Sequence, residues 1–387
     1  MTYTLLYIVL PWLVFFGAMA ILWLNRHRLT WELPTYVAVT LGLAALGFTL
    51  IRFNDINKFP DMLLVGGLYL VTLAGVGLML GGVEYVVMPL LGQFRLGAIA
   101  RVTYYEALIQ PFTMIILFAG IAAISIMARL SFFTYNEDFK MYRDVASSFV
   151  FLFTLPVMIF ASTKVIDEEI ENRTMLTLMS KPVSRWQVIL GKYLGVLVLI
   201  LVCVATLGII AALCSYLRYF DDMQIDFRVA RTIDEWDALH FINFKQFMAL
   251  LPALVLASLQ VATLAAVSVA VSTRYGLAAN ITVVVLIYIA ASMAQFVQST
   301  SDLPTGVSAI TNLFAYMLPS LGLLDLNQRL VFGDFAYGAR DRTVTSLGLP
   351  TYGTIWQYVG LSTVYAVFYI TAALSLGMAL FRSRELT

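Results

Sequence analysis

An all-α, polytopic integral membrane protein is the fold class this sequence predicts. Two observations lead there. Hydrophobic residues make up 61% of the chain and charged residues only 12%, with a mean hydropathy of +0.87. A water-soluble domain carries about twice that share of charge. The apolar residues also fall into about nine runs, each near the 20 residues that a helix needs to cross a bilayer. The formal net charge is +1, so charge offers no case for nucleic-acid binding.

The runs can be taken in order. Leu5 to Leu24 is the first, and the basic residues Arg26, His27 and Arg28 follow it. That order suits a retained membrane helix better than a cleaved leader. Thr35 to Ile51 is the second run and Met62 to Leu91 the third. The third is overlong and rich in glycine (Gly75, Gly77, Gly81, Gly82), which predicts tilt or bending. Gly77 and Gly81 have the spacing that allows close helix packing. Glu84 lies inside this run, with Pro89 and Arg95 just beyond, and reads as a carboxylate near the interface.

Gly92 to Glu106 sets Phe94, Leu96, Ile99 and Val102 against Gln93, Arg95, Arg101 and Glu106. This spacing predicts an amphipathic helix lying in the membrane interface. Ala107 to Ala128 is the next span, with Pro111 near its start. Arg129 to Val145 reads as a polar loop, and Ala146 to Ser162 as a span.

Ser162 to Gly195 is the most informative stretch. It opens with Asp167, Glu168, Glu169 and Glu171. Ile166, Ile170, Met175 and Met179 form a broken stripe at helical spacing, which predicts a short amphipathic helix along the membrane surface. The acids fall in its first turns, where the helix dipole favours them. Pro182 ends that helix. Ser184 with Gln187 is a capping-box pattern, so a new helix should start there. Trp186 suits the interface, and Lys192 is expected to snorkel towards the headgroups.

Leu194 to Cys214 rises from this stretch. Cys203 and Cys214 share it, roughly 16 Å apart along a helix, too far for a disulfide. Ser215 to Gln246 reads as a polar, acidic loop. Phe247 to Val271 and Leu277 to Val297 are spans separated only by Ser272 to Gly276, a tight helical hairpin. Gln298 to Thr354 is the longest exposed segment. Within it Ile310, Leu313, Phe314 and Met317 suggest a short interfacial or re-entrant helix ending at Pro319. Ile355 to Phe381 is the last span. Gln260, Asn280 and Gln295 are polar residues inside spans, suited either to a transport path or to bonds between helices.

The run from Glu168 to Gly195 resembles the signature of ABC-2 permeases, the membrane subunits of type-2 ABC exporters. The residues that carry the resemblance are Glu169 and Glu171, Thr174, Leu176 and Leu178, Pro182-Val183-Ser184-Arg185, and Gly191-Lys192. Family versions commonly place a glycine before the threonine, where this chain has Asn172-Arg173. The resemblance implies a cytoplasmic coupling helix at about 165–182 that docks on a separate ABC ATPase subunit. The residues it nominates for that contact are Asp167, Glu168, Glu169, Glu171, Arg173, Thr174, Leu176, Met179, Pro182 and Arg185. It further implies an interfacial elbow helix before a six-helix core over 92–387, a second permease copy, and ATP-Mg held by the partner subunit. Residues 1–91 would then be an additional three-helix segment.

Charge agrees with that orientation. Half of the 24 Lys and Arg residues fall on the side of the coupling stretch: Arg26, Arg28, Arg95, Arg101, Lys164, Arg173, Lys181, Arg185, Lys192, Arg274, Arg382 and Arg384. That side has the shorter loops, so its basic density is roughly twofold higher and it is expected to be cytoplasmic. The N-terminus would lie outside and the C-terminus inside. No phosphate-loop motif occurs, since Gly191-Lys192 is followed by Tyr193 and lacks the upstream glycine. The two histidines, His27 and His240, fall on opposite expected sides, which excludes a paired-histidine zinc site. No cofactor is therefore expected on this chain, and ATP hydrolysis is expected on another. Two other classes are open to such a sequence: an ion-coupled secondary transporter, and a membrane assembly factor that moves no substrate. The first calls for several intramembrane charges and an internal repeat. Glu84 is the one charged residue inside the nine runs, and no repeat is visible.

Overall fold

The computed structural model describes residues 40–47, 49, 62–130, 138–171, 184–222, 233–298, 318–325 and 352–382. Among them every regular element is helical. Five helices are long and apolar enough to cross a membrane, and a bent pair makes a sixth if counted as one span. The chain is thus an all-α multi-pass membrane protein. Of the nine expected spans, Leu5 to Leu24 lies outside the described residues, and within Thr35 to Ile51 residues 40–47 are helical.

The third run is α1 (Met62–Gly82), a π-helical turn (Val83–Val87) and α2 (Met88–Gly92). The irregularity follows Gly81-Gly82, weak helix formers, and precedes Pro89, which has no N–H to give the carbonyl four residues back. Glu84 falls inside this turn. The helix α3 (Arg95–Ile109) then meets α4 (Pro111–Met127) at 65°. The break falls at Gln110, later than the expected boundary at Glu106. Pro111 is the cause: its ring disfavours helical geometry at the preceding residue, and Gln110 is extended at φ −60°, ψ 130°. Pro111 then serves as the first residue of α4, where its missing N–H costs nothing. The Thr113 hydroxyl donates to the Ala107 carbonyl at 2.9 Å, satisfying one of the orphan acceptors at the end of α3.

Two expected boundaries are corrected by α5 (Asp138–Glu171). The polar loop over Arg129 to Val145 is helical from Asp138 onwards. The separate surface helix does not begin after Ser162; its first residues, Ile166 to Glu171, continue the membrane helix. No glycine interrupts these 34 residues. Their length is roughly 51 Å, against a hydrocarbon thickness of roughly 30 Å, so the helix stands well beyond the apolar layer.

The helix α6 (Arg185–Asp222) starts where the capping pattern places it. Gln187 Oε1 accepts the Ser184 N–H at 3.1 Å, the return half of a capping box. Replacing Gln187 by alanine should lower stability by about 0.5–1 kcal/mol, read as a small drop in the thermal midpoint in detergent. The expected loop over Ser215 to Gln246 is also corrected. The helix α6 runs on to Asp222, and α7 (Ile233–Ser272) already covers its second half. The tight hairpin is as expected: Thr273 to Gly276 join α7 to α8 (Leu277–Gln298), with the Arg274 and Tyr275 N–H groups both bonded to the Val271 carbonyl at 3.0 Å.

A 3₁₀ turn (Leu321–Leu324) and α9 (Tyr352–Arg382) complete the described chain. The turn is tied to α9: Tyr358 and Ser362 donate to the Leu323 carbonyl at 2.8 and 3.1 Å. The expected short helix over Ile310 to Met317 lies outside the described residues.

The chain forms two compact units, one of residues 1–90, 118–149 and 205–247, the other of 91–117, 150–204 and 248–387. The first contains a polar cluster around Arg218. The second contains the residues that flank the coupling stretch.

Candidate functional site

The candidate site is the pair of helix ends that bracket residues 172–183. Asp167, Glu168, Glu169 and Glu171 occupy the last turns of α5, and Arg185 is the first residue of α6. Arg173, Thr174, Leu176, Met179 and Pro182 lie outside the described residues. The four acids are therefore at the end of a helix, where the expectation puts them at the start of one. The carbonyl end of the dipole is negative, so it disfavours these carboxylates. The last turn of α5 holds no basic residue to offset them.

Lys192 ties the two helices together. It is 2% exposed, and its ammonium donates to the Val165 carbonyl on α5. The expected snorkelling to the headgroups is thus overturned. Burial of the ammonium is tolerable because a main-chain acceptor meets it. Trp186, the second residue of α6, is exposed, as an interface residue should be.

A glycine seam also holds α6. A Cβ on Gly191 would lie 2.9 Å from Ile99 Cβ and 3.0 Å from the Leu96 carbonyl oxygen. A Cβ on Gly195 would lie 2.6 Å from the Ala100 carbonyl oxygen and 2.6 Å from Thr103 Cβ. The buried face of α3 is accordingly made of small residues, Gly97, Ala100, Thr103 and Ala107, with Tyr104. Of the apolar residues that mark this segment as amphipathic, Ile99 lies against Gly191, whereas Phe94 and Val102 are exposed. The seam was missed by the sequence reading, although Gly191 and Gly195 have the one-turn spacing of close-packing membrane helices.

A buried polar network holds α5 from a third direction. The Ser162 and Thr163 hydroxyls donate to the Ile159 carbonyl at 3.0 and 2.8 Å. Asn280 on α8 donates through Nδ2 to Thr163 Oγ1 at 2.6 Å and to Ser268 Oγ at 2.7 Å. Ser268 on α7 in turn shares a short hydrogen bond with Ser162. Of the three polar residues singled out inside spans, Asn280 is thus a bond between helices. Gln260 is part-buried, and the Gln295 side chain lies outside the described residues. Tyr193 adds a bond from α6 to the Ala262 carbonyl on α7 at 3.2 Å. Among the described residues, no group of His, Cys, Asp or Glu could hold a metal ion.

Long apolar helices, a buried polar network among them, and an acidic helix end beside a capped helix start define a multi-pass membrane protein with one specialised inter-helix segment. A family model described as ABC-2 family transporter protein matches residues 133–375, well over half of the chain, and the chain belongs to that family. It is a membrane permease component of an ABC transporter. No curated protein matches the chain.

Proposed function

We propose that this chain is the permease subunit of an ATP-driven exporter and that residues 165–182 are its coupling segment. A separate ATPase subunit would bind ATP-Mg and hydrolyse it. Its closure would push on the segment, and α5 and α6 would carry the displacement into the membrane. Two permease copies would enclose the path. The core would span 92–387, with 1–91 as an added segment, the N-terminus outside and the C-terminus in the cytoplasm of a cell membrane. An elbow role for α3 fits its 65° angle to α4.

The observation that carries this reading is the acidic end of α5. Four carboxylates stand at the negative end of a helix dipole, and the last turn supplies no cation. A basic surface on a partner subunit would offset both. Lys192 and the glycine seam would keep the bracketing helices in register while that partner moves.

The test is co-purification from mild detergent of a tagged chain, followed by an ATPase assay. The wild-type chain should bring down a nucleotide-binding subunit with ATPase activity. Glu169→Lys should lower the retained partner by roughly tenfold, because like charges then face each other across the contact. Failure of the wild-type chain to retain any ATPase would refute the reading.

A further inference from the structure

The hydrogen-bond directions around Asn280 are determined by their partners. Ser162 and Thr163 each spend their only proton on the Ile159 carbonyl, so both hydroxyl oxygens must accept from elsewhere. Ser268 therefore donates to Ser162 and accepts from Asn280. Asn280 is the head of both chains, donating to Thr163 on α5 and to Ser268 on α7. It is fully buried at 0% exposure, and its carbonyl Oδ1 finds no acceptor role among the described residues. The side chain is thus held by its amide protons alone. It stands near the start of α8, just after the hairpin turn. Thr163, which it grips, lies one turn before Asp167 at the acidic end of α5.

We propose that Asn280 is a positioning residue that locks the hairpin of α7 and α8 to α5, so that the three helices move as one body when the coupling segment is displaced. The mechanical role rests on the coupling function proposed above; the lock itself does not. Two features make the lock selective for one arrangement. Two bonds run from the hairpin to α5, Asn280 to Thr163 and Ser268 to Ser162, so sliding of the hairpin by one residue along α5 breaks both. All four side chains are buried away from bulk water, so a broken bond is costly. The hairpin turn also holds Asn280 close to α7, because only Thr273 to Gly276 separate the two helices. The lock therefore acts mainly between the hairpin and α5.

The test measures a distance across the lock. Leu152 on α5 and Leu286 on α8 are exposed, at 56% and 59%, and can carry spin labels through cysteine substitutions. Cys203 and Cys214 are buried and free, and are replaced by alanine first. In the permease alone, the label separation should be narrowly distributed. Asn280→Leu and Thr163→Val should each broaden it about twofold, whereas Thr163→Ser, which keeps the hydroxyl, should not. Equal widths in wild type, Asn280→Leu and Thr163→Val would overturn the lock. In the complex with its ATPase, ATP trapping should leave the wild-type separation unchanged and shift it in Asn280→Leu. A wild-type shift on trapping would overturn the common-body motion. Absence of any co-purifying ATPase would count against the coupling function and leave the permease-alone result to decide the lock. Thr163→Val changes shape least, so loss of folded protein in Asn280→Leu would not remove the test.

Discussion

Gly195→Leu is expected to abolish accumulation of folded protein. The α-carbon of Gly195 faces α3 so closely that a Cβ alone would lie 2.6 Å from the Ala100 carbonyl oxygen and 2.6 Å from Thr103 Cβ. The first neighbour is main chain, which cannot rotate away. Relief requires α3 and α6 to separate, which opens the contacts of Ala100 and Thr103 along the same face. Alanine should already cost about 1–3 kcal/mol, in the range of overpacked cores, and leucine more. Gly360→Ala is the control, because nothing lies within 4 Å of a Cβ there. In the middle of α9 that change should be neutral or stabilising, by up to about 1 kcal/mol. Gly377→Ala should fall between, with Ala270 at 2.9 Å. Size-exclusion profiles and thermal midpoints in detergent read the series. A Gly195→Leu variant as stable as wild type would refute the seam.

Arg218→Met should produce the second large loss. The guanidinium joins three helix ends: it donates to the Ala128 carbonyl just past α4 at 3.1 Å, to Asp138 Oδ2 at the start of α5 at 2.7 Å, and lies 3.1 Å from Asp222 Oδ1 at the end of α6. The arrangement also suits the helix dipoles, with a cation at the end of α4 and a carboxylate in the first turn of α5. The side chains of Arg218 and Asp138 are both only 10% exposed. Removing the cation leaves nearly buried carboxylates facing each other, at a cost of about 3 kcal/mol. Arg218→Lys keeps the charge but loses the forked geometry, and should fall between wild type and methionine. Asp138→Asn combined with Arg218→Met should cost less than the sum of the two, with a coupling of about 1–3 kcal/mol. Additive losses in thermal unfolding would show that the pair does not hold these helices together.

The parts of the fold that the sequence reading placed correctly are those decided by neighbouring residues. The hairpin over Ser272 to Gly276 is legible because two apolar runs leave only a few residues between them. The start of α6 is legible because Ser184 and Gln187 cap it through a local bond. The family resemblance was carried by one contiguous run, and the chain belongs to that family. Of the candidate site, the helix ends at Asp167–Glu171 and at Arg185 are placed, but the direction of the first was misjudged. Local dipole reasoning put the acids at a helix start because it took the polarity after Ser162 as a boundary. The backbone has no reason to stop there, with no glycine or proline between Pro156 and Pro182.

Hydropathy and capping by themselves determined the class, the membrane runs and the local stops. Tertiary structure alone decided how far the helices extend past those runs and which polar residues are buried. Asp138 reads as loop because it is charged; it is helical, and Arg218, 80 residues away, meets its charge. Lys192 reads as a snorkelling residue; it is buried because Val165 offers a carbonyl. Asn280 could have lined a path or bonded a helix, and Thr163 and Ser268 make it the second. In each case a polar group's partner lies far along the chain, and the cost of burying it is known only when that partner is in place.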